Sequence, residues 1–245
     1  MSYKVNTAIN NTKIHGAAIQ GIKIYSAGPP PTYIAEGSSI YKNNNGTKGS
    51  LITTITKNDW TTLSLYAPYI EIALADVCRG WTGVGVPLNF AILKSTGNHF
   101  MYDTKEFNQP IEFPMLENLN TTCSYFMSNC YAFNQNLVFQ KAIRFGSAFM
   151  VGADVFAKKI TFAKFIITSS ATSFLVSGYA NRPLITLEFK TPQTAASLHN
   201  SFCYMRPDNT TNHSTVDLRI HKDSLNVNVA NKTWAGHTFR SITLI

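Results

Sequence analysis

The sequence predicts a mainly β protein, with a stack of repeated units at its centre, a small β-rich module before it and an N-terminal attachment segment. Three observations lead there. Apolar residues come in short runs bounded by Asn and Gly, a Pro-rich break isolates the first residues, and two aromatic landmarks recur in phase through the middle of the chain. The 245 residues are 44% hydrophobic and 14% charged, with Phe 16 and Tyr 11, which supplies a sizeable core and excludes disorder over most of the length. Lys+Arg 21 against Asp+Glu 13 leaves +8, a mildly basic surface too sparsely charged for a nucleic-acid arm. No run approaches the ~18–20 consecutive apolar residues that crossing a bilayer requires, so no membrane insertion is expected.

Gly28-Pro29-Pro30-Pro31 is a stiff polyproline spacer that sets off residues 1–31 as an attachment segment and linker. Within it Val5, Ile9, Ile14, Ile19, Ile22 and Ile24 recur among Asn, Thr, Lys and Gly, the pattern of two or three short strands joined by tight turns. Isolated hairpins are marginal in water, so these apolar positions are expected to be covered by a partner chain. The opening residues, Met1-Ser2-Tyr3-Lys4, lack the basic and apolar regions of a secretory signal, and synthesis in the cytoplasm is expected.

Residues 32–85 read as a β-rich capping module. Ser39-Ile40-Tyr41 and Leu51 to Thr56 flank an Asn45-Gly46 turn, and Asn-Gly accepts positive φ at little cost. Trp60 to Tyr66 alternates like a strand, whereas Ile70 to Val77 has helical spacing.

Residues 86–205 carry the repeat. Phe100-Met101 recurs as Phe126-Met127, Phe149-Met150, Phe174-Leu175 and Phe202-Cys203, at separations of 26, 23, 25 and 28. A second marker, "FNQPIEF" from Phe107, recurs from Phe133, Phe156 and, more diverged, Ala180, at separations of 26, 23 and 24. A truncated copy runs from Val86 to Phe90. A period of about 20–29 residues is that of leucine-rich repeats, so the fold class expected is a leucine-rich-repeat-like solenoid. Ile111/Phe113, Leu137/Phe139, Ile160/Phe162 and Leu187/Phe189 then point inward from stacked parallel strands, and the Phe-Met pairs close each unit from the opposite side in coil or a turn of helix. Residues 206–245 supply cap strands at Val216 to Ile220 and Ser241 to Ile245.

The units "YFMSNCYAFNQNLVF" and "EFNQPIEF" resemble the BspA-like class of leucine-rich repeats, closely in two units and more loosely in "FAKKITF" and "ANRPLITLEF". That resemblance implies a stack used for binding, of the kind found in bacterial and protozoan surface proteins and in bacteriophage structural proteins. The opening "VNTAINNTKIHGAAIQGIKIYSAG" is similar in style to leaders of tail-associated proteins of phages infecting Gram-positive bacteria.

Catalytic motifs are sparse. The six histidines form no HExxH or i, i+4 pair, and Cys78, Cys123, Cys130 and Cys203 fit no zinc framework, so neither metal nor cofactor is expected and the thiols read as reduced and mostly buried. Ser147 lacks the G-x-S-x-G of a nucleophile elbow, and "GWTGVGV" lacks the Lys-Ser/Thr of a phosphate loop. Outward strand positions are expected to align into a ligand-binding ribbon of Asn89, Glu112, Gln140, Thr161 and Glu188. Glu112 and Glu188 lie three units apart, about 14 Å at the ~4.8 Å strand spacing, beyond the ~5–9.5 Å of glycoside hydrolysis.

The expectation is therefore a non-enzymatic phage virion component (tail, baseplate or head fibre), made in the host cytoplasm. It would join other virion proteins through the N-terminal segment, bind a host-surface glycopolymer or protein or decorate the particle, and form a homo-oligomer such as a trimer. The alternatives are a secreted bacterial surface adhesin with the same repeats and an envelope polysaccharide depolymerase.

Overall fold

The computed structural model describes residues 8–9, 12–13, 30–119, 125–144, 148–166, 175–176, 184–194 and 212–245. The chain divides into two compact units, Met1–Pro31 and Thr32–Ile245. In the first, Ala8–Ile9 pairs antiparallel with Thr12–Lys13. Val5, Ile14, Ile19, Ile22 and Ile24 lie outside the described residues, as does the side chain of Ile9. So do Cys123, Ser147, Phe174, Ala180 and the Phe202-Cys203 pair.

The second unit is mainly β. Tyr33–Glu36 and Ser39–Asn44 turn back on each other at Gly37 (φ 55°), and Thr47–Thr54 follows through Asn45 (φ 53°) and Gly46 (φ 88°), the left-handed pair that an Asn-Gly hairpin turn needs. Two expectations then reverse. Trp60–Tyr66 is an α-helix, α1, rather than a strand. The Asp59 carboxylate accepts from the Thr62 N–H at 2.9 Å and satisfies a free donor of the first turn. Trp60 and Leu63, one turn apart, are both buried, and Pro68 ends the run. Conversely, Ile70–Ala73 is a strand, held parallel between Tyr33–Glu36 and Ser95–Thr96. Pairing on both edges outweighs the helical spacing of so short a segment.

From residue 88 onward short parallel strands stack in order: Leu88–Asn89, Ile111–Glu112, Leu137–Arg144, Lys159–Ile166, Ile185–Phe189, Asn212–Ile220 and His237–Leu244. Leu88 registers with Ile111, Leu137 with Ile160, Ile160 with Leu187, Leu187 with Leu218 and Leu218 with Ile242. A bridge from Phe113 to Phe139 joins the first two strands to the rest. A second parallel ladder runs from Ile70–Ala73 through Ser95–Thr96 to Asn118–Leu119, in the same sheet as Tyr33–Glu36, Ser39–Asn44 and Thr47–Thr54. One hydrophobic core also runs from Ala35 to Ile242, so positions 85 and 205 do not separate compact units.

Phenylalanine fills that core in three columns. Phe90, Phe113, Phe139, Phe162 and Phe189 stack at 5.7, 6.0, 5.5 and 5.3 Å between centroids, with ring planes within 15°. Phe100, Phe126 and Phe149 stack at 5.2 and 5.3 Å, and Phe107, Phe133 and Phe156 at 6.1 Å. Trp60 lies 5.0 Å from Phe107 and Trp234 lies 5.4 Å from Phe189, so a tryptophan closes an end of each of two columns. Phe100, Met101, Phe126, Met127 and Phe149 are buried on turns, whereas Met150 is buried in a two-residue strand, Met150–Val151, parallel to Leu175–Val176. There the opposite side of the unit is a ladder rather than the coil or turn of helix expected.

The FNQ marker has its own explanation. Asn108 Oδ1 accepts from the Asn134 N–H, and Asn134 Oδ1 accepts from the Ala157 N–H, both at 2.9 Å. Each Phe fills a column while the following Asn ties a backbone donor of the next unit. Cys78 and Cys130 are free and buried.

Candidate functional site

The outward residues between the inward Leu/Ile and Phe positions do form a row. Asn89 registers with Glu112, Val138 with Thr161, Thr161 with Glu188, Glu188 with Arg219, and Arg219 with Thr243, while the Phe113–Phe139 bridge places Glu112 beside Val138. The strand register thus corrects one member of the expected ribbon. Val138, not Gln140, stands in the row; Gln140 points the same way two residues on, where the register slips between Phe139 and Ala142.

Burial corrects two more. Asn89, Glu112 and Gln140 are exposed, but Thr161 is 4% and Glu188 6% exposed. The Arg219 Nε donates to Glu188 at 2.8 Å and the Lys159 ammonium lies 3.5 Å away. Lys159 sits two residues before Thr161 on the same strand, and Glu188 is the cross-strand neighbour of Thr161, so this ion pair runs past the threonine and shields it. Alternation fixes which face a side chain takes; the length of its neighbours decides whether water reaches it.

Surroundings divide the two carboxylates that stand on this face. Burial pushes the Glu188 carboxyl up, but the Arg219 hydrogen bond and the Lys159 charge outweigh it and hold the group below the ordinary glutamate value. A carboxylate kept ionised by two cations is in the wrong state for a general acid. Glu112 instead lines a groove of about 300 Å³ with Pro110, Ile111, Phe113, Pro114, Asn136, Val138 and Gln140.

The groove has a local cause. The strand Ile111–Glu112 is two residues long and Pro114 follows, whereas its neighbour Leu137–Arg144 runs for eight. Proline offers no N–H to continue the ladder beyond the Phe113–Phe139 bridge, so the flank of the longer strand is left open from Gln140 onward. The site as built is therefore Glu112, Gln140, Asn136 and Val138. Asn136 and Val138 escaped the sequence reading. The signal for Val138 was its place between Leu137 and Phe139, the same slot that Glu112 occupies between Ile111 and Phe113.

The groove offers one carboxylate, two side-chain amides and an apolar floor, a set suited to hydrogen bonding a neutral polar ligand. Among the described residues no group of three or more His, Cys, Asp or Glu is placed to hold a metal ion, and no helix is long and apolar enough to cross a membrane. Comparison of the chain with protein-family models, with curated proteins and with solved structures finds no match.

Proposed function

We propose that the parallel ladders and phenylalanine columns are a BspA-like leucine-rich-repeat solenoid, and that the chain is a non-enzymatic bacteriophage virion component that meets the host surface or decorates the particle. The observation that carries this reading is the common phase of the columns. Residues 100, 107 and 113 each recur 26 positions later and again 23 positions after that, every one a phenylalanine stacked on the last. A unit of this kind cannot bury its own rings, and such stacks present an extended face that can take up a ligand without disturbing the core. The phage assignment is supported by the likeness of the FNQ units to BspA-like repeats and of the first residues to tail-associated leaders.

Glu112, Gln140, Asn136 and Val138 form the contact we assign to that face, and the N-terminal segment serves attachment to other virion proteins. Mass spectrometry of purified particles from the phage that carries the gene tests the role. The chain is expected among their stoichiometric proteins, and its absence from them refutes a virion role. Binding of the isolated chain to intact host cells, weakened in a Glu112→Ala/Gln140→Ala variant that melts with the native protein, tests the contact.

A further inference from the structure

One cluster of side chains, two of them exposed and three half-buried, belongs neither to the ladder face nor to the groove. Among the described residues, four units carry a residue with left-handed backbone immediately before the Phe-Met pair or the equivalent position: Asp76 (φ 63°), His99 (φ 57°), Tyr125 (φ 63°) and Ala148 (φ 58°). Four residues on, a second left-handed position holds Gly80, Asp103, Asn129 and Gly152, types that accept this conformation readily. The first series is more varied: Asp76 and His99 are types that take this conformation fairly readily, whereas Tyr125 brings a bulky ring to one that such residues rarely adopt.

Those rings pack on one another at the surface. His99 stacks on Tyr125 at 5.4 Å and 17°, and Tyr102 meets both edge-on, at 5.2 and 5.6 Å. Tyr125 is 42% exposed. The Arg79 guanidinium lies over the Tyr102 ring at 5.5 Å and donates to Asp76 at 2.9 Å, while His99 Nδ1 lies 3.4 Å from the same carboxylate. The cluster is a packed aromatic patch, its rings stacked and edge-on rather than coplanar, with a hydrogen-bonding rim, and Tyr125 is the most exposed of its three rings.

We infer that Asp76, Arg79, His99, Tyr102 and Tyr125 form a binding platform for a neutral pyranose chain, a contact that rests on the host-surface reading and adds a second site to it. The charges of Asp76 and Arg79 are spent on each other, which leaves little field to draw an anion or a cation. All three ring-bearing members are amphipathic and none is aliphatic, unlike the apolar centre of a protein interface. A pyranose ring presents a C–H face that lies on an aromatic plane and equatorial hydroxyls that reach a carboxylate and a guanidinium. His99 and Tyr102 come from one unit and Tyr125 from the next, so the contact spans a unit boundary, as an extended ligand would.

The test is affinity electrophoresis of the isolated chain in gels cast with dextran, amylose, glycol chitin or soluble peptidoglycan strands, alongside binding to intact host cells. Retardation by at least one polymer is expected. The variant His99→Asn/Tyr125→Asn should weaken it at least about tenfold, as loss of aromatic anchors does. Asparagine favours the left-handed backbone at both positions, so the variant should keep the native melting temperature. Leu225→Ala, exposed and outside both sites, should leave the retardation unchanged. No retardation by any polymer, or equal retardation of the Asn variant, overturns the platform; if the native chain still binds cells, the host-surface reading survives that failure. Loss of cell binding by the native chain as well would sink both.

Discussion

Phe139→Ala tests the column principle where it is most exposed to failure. Phe139 is fully buried at the middle of the five-ring column, stacked on Phe113 at 6.0 Å and Phe162 at 5.5 Å and edge-on to Phe149 at 5.9 Å. Truncation of a buried Phe costs about 3–5 kcal/mol when the cavity cannot close. Here it cannot close easily, because Phe113 and Phe162 are held by their own strands in register with the one that carries residue 139. The loss of three aromatic contacts places the cost in the upper half of that range. At ~2–4 °C per kcal/mol for a unit the size of Thr32–Ile245, the melting temperature should fall by about 8–20 °C. Val138→Ala, one residue away and 46% exposed, should change stability by no more than about 0.5 kcal/mol. Thermal melts followed by far-ultraviolet circular dichroism read both. Hydrogen exchange should quicken in Ile111–Glu112 and Lys159–Ile166 before Thr47–Thr54, since each unit leans on its neighbours. Equal melting shifts for the two variants would refute the columns as the source of stability.

Acid should weaken the fold partly through Glu188. Its carboxyl is held below the ordinary value in the folded state, so its contribution is present above the unfolded pKa of about 4.3 and is lost as pH falls through the folded one. Melts between about pH 5 and 3 should therefore decline less steeply in Glu188→Gln than in the native protein; identical slopes would mean that the Arg219 and Lys159 contacts contribute nothing. Burial pushes the Cys78 thiol up, and pushes that of Cys130 up to about 12. Peptide mapping after alkylation of native protein should leave both unmodified, and modification without denaturant would contradict their burial. Gly97→Ala should destabilise by about 1–3 kcal/mol, because a Cβ there would lie 2.3 Å from the Leu74 carbonyl oxygen, which also accepts from the Gly97 N–H at 2.9 Å. Wild-type melting of this variant would show that the turn can shift.

Much of the core was legible from the chain alone. Stacked units must put the same side chain in the same place, so packing writes its period into the sequence, and the Phe positions at 100, 107 and 113, with their copies at 126, 133, 139, 149, 156 and 162, are columns of the folded protein. The inward set Ile111, Leu137, Ile160 and Leu187 was readable for the same reason. Shorter or non-periodic features were not. Seven residues from Trp60 to Tyr66 fit either an alternating strand or one helical face, and the decision rests on the Asp59 cap and on buried Trp60 and Leu63, the first reaching Phe107 far along the chain. Ile70–Ala73 became a strand because two others flank it.

The binding row shows the same division. Alternation gave the outward face, but only hydrogen-bonded register puts Val138 rather than Gln140 beside Glu112, since one slip in the strand is invisible in a two-residue period. Whether an outward residue meets water depends on what crosses above it. Thr161 and Glu188 are covered because Lys159 and Arg219 reach over from their own strand and the next, a contact between residues 29 and 31 positions apart that exists only once the strands have stacked. Sequence periodicity reports what every unit shares, and tertiary structure decides where the units differ.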